Sequence, residues 1–228
     1  IINGGNLSQL IRQNPALNNL SNQSVEITTS DGLVNSRIDL NAGASAKEVA
    51  YNLNASLMEK GFIAEAQTIA SLELEANASQ NGSVQFSFEL DDENLLAVSV
   101  DYSGKNLSPL VSKINQYFDK TGVRAELSKD GNRVLLIEDQ GNDITLSNFS
   151  GSALKVNTLD QTYKKLLSND IALDQPTKVV GSVDLKSPRE FTLTTSIGGT
   201  GLSTSNTMLS GGIGRTFSMA GTVTDFEW

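Results

Sequence analysis

The 228-residue chain has no cysteine, no histidine, four prolines and a single tryptophan. Without cysteine there are no disulfides and no thiol nucleophiles, and without histidine there are no histidine-based triads or acid–base pairs. The absence of both residue types also excludes the usual zinc ligand sets. These absences remove most familiar active sites, and we expect no enzyme: no catalytic residue, no cofactor and no bound metal.

Positive charge is also scarce. Lysine and arginine together number 17, against 26 aspartates and glutamates, so the formal net charge is −9. An acidic chain repels phosphate backbones, which argues against nucleic acid as a partner. No run of about 18 apolar residues occurs, and we therefore expect no membrane-spanning segment. The first residue is Ile1 rather than methionine, and we expect the chain to be a piece of a longer protein.

Short alternating runs of apolar and polar residues dominate what is present. Residues 84–90 alternate in this way, and so do the shorter runs 25–27, 37–40, 98–100 and 191–194. Alternation with a period of two is the pattern of a half-buried β-strand. Asp31-Gly32 and Asp130-Gly131 separate such runs and predict tight turns.

Two helices interrupt the strands. Ser45 and Glu48 have the spacing of a capping box, so a first helix is predicted to begin there. A second is predicted near Ser108, because Pro109 suits the first helical position. Gly61 and Gly122 mark the two helix ends. The apolar face of the first helix is Val49, Ala50, Leu53 and Leu57, and that of the second is Leu110, Val111, Ile114, Tyr117 and Phe118.

A weak internal repeat relates the two helical regions. A shift of 61 places residues 54–65 on residues 115–126, with matching asparagine, glycine, alanine and glutamate. We therefore predict an α+β fold with two consecutive ββαββ-like units followed by a β-rich third region. The predicted divisions are a connector 1–22, a first unit 23–80, a second unit 81–152, and a β-rich region 153–228 with a Gly/Ser/Thr-rich loop at 196–214. In the third region we predict a short helix at 159–167, two strands within 176–195 and a closing strand at 215–225.

Two carboxylate clusters resemble ligand sets for a hard cation. They are Asp91-Asp92-Glu93, and Glu138-Asp139 with Asn142-Asp143. Oxygen ligands of this kind bind Ca²⁺. Aspartate and asparagine are also the residues that form hairpin turns, and we favour that interpretation.

The second unit carries a resemblance. Residues 112–127 include Ile114-Asn115 and Thr121-Gly122-Val123, and residues 141–146 read Gly-Asn-Asp-Ile-Thr-Leu. This pattern resembles the "IN" motif of the outer domains of bacterial flagellins, hook-associated proteins and filament-cap proteins. The first unit, with Leu53-Asn54, resembles a degenerate copy of it. The resemblance implies that the residues that matter are framework positions: Ile114, Asn115, Gly122, Val123, Ala125, Gly131, Leu135, Ile144 and Leu146.

The resemblance implies a structural role without catalysis. The chain would be a surface-exposed middle domain of a flagellar filament or hook-associated (junction or cap) protein, exported outside the bacterium and serving motility. Its partners would be other axial subunits, bound through terminal helices that this piece lacks, and the piece itself would be monomeric. The alternative is a β-rich bacterial adhesin, or a surface or phage structural module. The two helices argue against that alternative.

Overall fold

A computed structural model gives the structure of the chain and describes residues 11–13, 22–91, 94–129, 133–159, 163, 165, 170–195 and 216–219. Strands outnumber helices in these ranges, which confirms the α+β class in its broad form. The chain forms two compact units. The first consists of Ile1–Leu10, Leu17–Ala66 and Ser182–Trp228, and the second of Ile11–Ala16 and Gln67–Gly181. In sequence, the second unit therefore interrupts the first.

The elements follow one another along the chain as β1 (Ile11–Gln13), β2 (Gln23–Thr29), β3 (Asn35–Leu40), α1 (Ala46–Leu57), β4 (Ile63–Leu74), β5 (Gly82–Asp91), β6 (Asn94–Tyr102), α2 (Ser108–Asn115), α3 (Phe118–Thr121), β7 (Val123–Leu127), β8 (Val134–Glu138), β9 (Ile144–Gly151), β10 (Leu154–Leu159), β11 (Ile171–Ala172), β12 (Thr177–Val179), β13 (Ser182–Lys186), β14 (Phe191–Thr195) and β15 (Thr216–Met219). None of the helices in the described part of the chain has the length and apolarity that a membrane crossing requires.

The first unit is built on a four-stranded sheet in the order β15-β14-β2-β3. Its β2–β3 hairpin turns at Asp31, whose carboxylate accepts hydrogen bonds from the Thr29 hydroxyl (2.6 Å) and from the Leu33 N–H (3.0 Å). Helix α1 begins with the predicted capping box between Ser45 and Glu48. The helix buries its predicted apolar face and packs against β3 and β13.

The second unit contains two sheets. One has the order β1-β12-β9-β5-β6, and the other runs β11-β10-β4-β8-β7. Helix α2 packs against β6, β7 and β8, so it contacts strands of both sheets. Its buried residues are Leu110 and Ile114.

The second predicted helix is shorter than expected. It stops at Asn115, and a separate single turn, α3, follows before Gly122 ends it with a left-handed φ of 68°. This break changes the direction in which the later side chains point. Phe118, predicted to be buried, is therefore 45 % exposed. Val111 and Tyr117 are half-buried rather than part of the core.

The same pairing scheme occurs once in each unit. In the second unit, β5 pairs with β6 and β9, and β7 pairs with β8. In the first, β2 pairs with β3 and β14, and β4 pairs with β13. The register agrees: Ile27 lies opposite Leu193 on β2 and β14, as Phe88 lies opposite Leu146 on β5 and β9. We call β2, β3, α1, the start of β4, β13 and β14 the first module, and β5 to β9 with α2 the second module.

This arrangement corrects the predicted order of two consecutive ββαββ units. Within 62–91, which the structure describes completely, one strand, β4, follows α1 before β5 begins, where two were expected. The missing strands of the first module are β13 and β14, more than a hundred residues further along the chain. The compact units have boundaries at 10/11, 16/17, 66/67 and 181/182, and the predicted divisions at 80/81 and 152/153 coincide with none of them. The cause is a long-range pairing that no local pattern encodes.

The third region follows the sequence in part. Residues 176–195 form three strands where two were predicted: β13 and β14 lie around Lys186-Ser187-Pro188 as expected, and β12 precedes them. Strand β15 occupies part of the predicted closing strand. The predicted helix at 159–167 is not formed where the structure describes it, because Leu159 ends β10 and Lys165 forms a β-bridge back to Leu159. The Gly/Ser/Thr-rich loop 196–214 lies outside the described residues. In the predicted connector 1–22, residues 11–13 form β1, which pairs with β12.

A pair of aromatic side chains lies in the core of each module. Phe62 and Phe191 meet edge to face in the first, with ring centroids 5.2 Å apart, and Phe86 and Phe88 do so in the second at 5.5 Å. Edge-to-face geometry is the favoured arrangement of paired rings and adds to the stabilisation from burial. Each module therefore has a core of its own.

Candidate functional site

Asn115, at the end of α2, binds the main chain of β7. Its side-chain amide donates to the Ala125 carbonyl (2.9 Å), and its side-chain oxygen accepts from the Ala125 N–H (2.7 Å). One side chain thus satisfies both backbone groups of a strand residue, which would otherwise be left unpaired at some cost. We call this pair of hydrogen bonds the asparagine clamp.

The first module contains the same clamp. Asn54 donates to the Ala64 carbonyl (2.7 Å) and accepts from the Ala64 N–H (2.7 Å). The spacing of ten residues from asparagine to alanine is the same in both modules. The sequence match of Asn54 with Asn115 and of Ala64 with Ala125 therefore corresponds to one repeated contact.

The other predicted framework residues surround the second clamp or extend from it. Ile114, on the inner face of α2, is fully buried, and Val123 and Ala125 on β7 are 4 % exposed. Gly122 adopts the left-handed conformation that lets α3 end and β7 begin. Ile144 and Leu146 are buried on β9. Leu135 is half-buried against a cluster of Ile69, Ile137 and Leu159, and Gly131 lies outside the described residues.

The Glu138 cluster serves a turn. The Glu138 carboxylate is buried and accepts hydrogen bonds from the Gln140 N–H (3.2 Å), the Asn142 N–H (2.6 Å) and the Asn142 side-chain amide (3.0 Å). Its oxygens thus close the β8–β9 connection, which agrees with the turn interpretation favoured from the sequence, although the sequence did not predict Glu138 as the acceptor. In the other candidate cluster, Asp92 and Glu93 lie outside the described residues.

Asp139, beside Glu138, is engaged differently. It accepts hydrogen bonds from Arg124 (3.1 Å) and Gln67 (2.7 Å). The hydrogen bond from Arg124 lowers the pKa of Asp139, and burial opposes this effect only partly. The same contact raises the pKa of Arg124. The charges of this cluster therefore compensate one another. Across the described ranges, no group of three or more acidic side chains is placed to hold a metal ion.

An ion-pair network on β4 and β10 was also missed by the sequence reasoning. Asp170 contacts Lys155 (2.9 Å), Lys165 (2.8 Å) and the side-chain amide of Asn157 (2.8 Å). Glu73 contacts both lysines, at 3.2 and 3.4 Å. Burial alone would raise the pKa of Asp170, but these hydrogen bonds outweigh it and hold the pKa far below its usual range. Because the network joins residues that are distant in sequence, no local motif predicts it.

No known family profile matches the sequence, and no curated protein is significantly similar to it. Among solved structures, the chain is similar to the flagellar cap protein FliD from Helicobacter pylori, with 10 % identity and a TM-score of 0.25 over 68 % of this chain and 51 % of that one. It is similar to the D2-D3 domains of FliD from Escherichia coli, with 15 % identity and a TM-score of 0.25 over 82 % and 92 % of the two chains. The D1-D2-D3 domains of that protein give 16 % identity and a TM-score of 0.24 over 87 % and 58 %. The chain thus spans about half of the Helicobacter pylori structure.

Proposed function

We propose that the chain is a structural, surface-exposed outer domain of a flagellar filament or hook-associated protein, without catalytic activity. The proposal rests on the resemblance of residues 112–146 to the flagellin and hook-associated "IN" motif. The single structural observation that supports it is the clamp from Asn115 to Ala125. It gives the Ile-Asn pair a purely architectural task, with Ile114 in the core and Asn115 holding the next strand.

The charged residues support the same interpretation. Glu138 is used in a turn, Asp139 is paired with Arg124, and Asp170 is paired with Lys155 and Lys165. An acid–base catalyst needs a titratable group that can exchange a proton with a substrate. These carboxylates instead hold parts of the fold together.

The proposal is tested by immunogold electron microscopy on the bacterium that encodes the chain, with antibodies raised against the 228 residues. Label along the filament, at the hook–filament junction or at the filament tip supports the proposal, and the position then tells flagellin, junction and cap protein apart. A strain lacking the gene is the control for antibody specificity. Label on the cell envelope, with unlabelled flagella, contradicts the proposal and favours a β-rich adhesin.

A further inference from the structure

Strand β7 is the last strand of its sheet in the described part of the chain, because its single neighbour there is β8. The outer edge of such a strand normally presents backbone N–H and C=O groups that can pair with another strand. The clamp on Ala125 shows that Val123, Ala125 and Leu127 are the residues whose backbone groups point outward, since this property alternates along a strand. The outer edge of β7 is thus defined by these three residues.

Side chains occupy the first two of these outward positions. Asn115 takes both the N–H and the C=O of Ala125, at the centre of the strand. The Val123 N–H donates to the hydroxyl of Thr121 (3.1 Å). An incoming strand would have to displace these bonds before it could pair.

The residues of β7 are complementary to those of a second, antiparallel copy of β7. If two copies of β7 met antiparallel with Ala125 opposite Ala125, Val123 would face Leu127, and Arg124 would face Glu126. Apolar residues would then meet apolar residues, and Arg124, which already contacts Glu126 and Asp139 of its own chain, would also face Glu126 of the other copy. Cross-strand pairs of both kinds stabilise a sheet. The central pair of this arrangement would use the two Ala125 groups that Asn115 holds.

We propose that Asn115 closes the outer edge of β7 against pairing with β7 of a second copy of this chain. The clamp then has a role beyond joining α2 to β7: it keeps a self-complementary strand edge unavailable. This inference goes beyond the proposed function and does not depend on it, because it concerns the behaviour of the isolated chain.

The test compares three variants of the full chain by sedimentation over a wide range of concentrations, with circular dichroism to verify folding. Asn115→Leu removes both hydrogen bonds and is expected to convert monomer into dimer. Asn115→Asp loses the donor to the Ala125 carbonyl, keeps an acceptor for the Ala125 N–H and places a negative charge at the edge, so it is expected to remain monomeric. Asn81→Leu is the matched control: Asn81 makes the same type of hydrogen bond to a turn, to the Gly104 N–H (3.2 Å), and its loss should leave the chain monomeric.

A second substitution tests the register. Adding Glu126→Arg to Asn115→Leu sets arginine against arginine across the antiparallel pair of β7 strands and should abolish the dimer. Hydrogen exchange of the unchanged chain provides an independent measurement, in which the Ala125 amide should be protected although it points outward.

The proposal is overturned if a folded Asn115→Leu chain stays monomeric, if its dimer survives Glu126→Arg, or if the Ala125 amide of the unchanged chain exchanges as fast as an exposed amide. If Asn115→Leu does not fold, the milder Asn115→Ser takes its place, with the same expected dimer and the same contradicting result. Association of Asn115→Asp to the same extent as Asn115→Leu would also contradict it, because loss of the fold rather than an opened edge would then drive association.

Discussion

At the scale of single residues, glycine and aspartate positions have roles that their surroundings define. Gly122 and Gly151 both have positive φ, 68° and 83°, but their neighbourhoods differ. A Cβ atom on Gly122 would meet the Glu138 carboxylate at an ordinary 3.6 Å, whereas one on Gly151 would lie 2.4 Å from the Ser83 carbonyl oxygen. Position 122 requires only a residue that can adopt a left-handed backbone conformation. Position 151 also requires a residue without a Cβ atom, because the Ser83 carbonyl lies too close.

These two glycines predict unequal effects of alanine. Gly122→Ala should lower the free energy of unfolding by about 1–2 kcal/mol, the cost of a left-handed conformation for a residue with a side chain. Gly151→Ala should lower it by more, because β9 must also move away from β5. Urea denaturation of both variants measures the difference. Equal losses would show that the close approach to Ser83 is relieved without cost.

Asp170 predicts a dependence of stability on pH. Its pKa is lowered in the folded chain, so the unfolded chain binds a proton first as the pH falls below about 3.9. The stability that Asp170 provides is complete above this pH and is lost progressively in more acidic solution. Asp170→Asn should therefore lower the free energy of unfolding at neutral pH. It should also reduce the loss of stability between about pH 5 and pH 2.

Urea denaturation over this pH range provides the measurement. Asp101→Asn, at an exposed position on β6, is the control and should retain the acid sensitivity of the unchanged chain. Identical pH profiles for Asp170→Asn and the unchanged chain would show that the ion pairs on β10 contribute nothing to stability.

At the scale of elements, the success of the sequence reasoning depended on how local the signal is. The capping box of Ser45 and Glu48 spans four residues, and α1 begins where it predicts. The alternating run 84–90 likewise lies within β5. Phe118 was placed wrongly because the helical period was continued across Gln116 and Tyr117, where α2 stops. Apolar residues follow the period of an element only as far as the element extends.

We predict that equivalent core substitutions in α1 and α2 destabilise the protein to a similar extent. Leu53 and Ile114 occupy equivalent positions, 61 residues apart, and both are fully buried. Replacing either with alanine should cost about 2–5 kcal/mol through lost burial and the cavity left behind. Hydrogen exchange should show that Leu53→Ala loosens the first unit and Ile114→Ala the second. Ser112→Ala, on the exposed side of α2, is the control and should leave both units unchanged.

At the scale of the whole molecule, the sequence match relates the two asparagine clamps but does not give the order of the strands around them. The match of residues 54–65 with 115–126 is local and was found. Phe191-Thr192-Leu193 also resembles Ile144-Thr145-Leu146, and the two triplets occupy equivalent places on β14 and β9. This second match was missed because it lies at a different offset in sequence, and a constant shift of 61 cannot reveal an interrupted repeat.

Because residues 67–181 interrupt the first unit in sequence, we predict that a chain without them still folds. Gly61 lies beside Pro188 and Glu65 contacts Lys186 (2.7 Å), so β4 and β13 run antiparallel at this point. In the second module, residues 128–133 connect the equivalent strands β7 and β8. A chain of residues 17–66, this connection and residues 182–228 should therefore fold cooperatively.

Thermal unfolding followed by circular dichroism measures this result. The same chain with Phe62→Ala is the control and should melt at a lower temperature, because Phe62 packs on Phe191. A shortened chain without a cooperative transition would mean that the first unit depends on residues that the shortened chain lacks.

The interruption also imposes an order in time. When the chain is synthesised or exported with its N-terminus first, β5 to β9 follow one another without interruption. The second module can therefore fold as soon as β9 has emerged. The first module begins earlier but has to wait for β13 and β14, with the start of β4 unpaired on that side in the meantime. Non-local pairings of this kind form late, so the part of the fold that begins first is the part that is finished last.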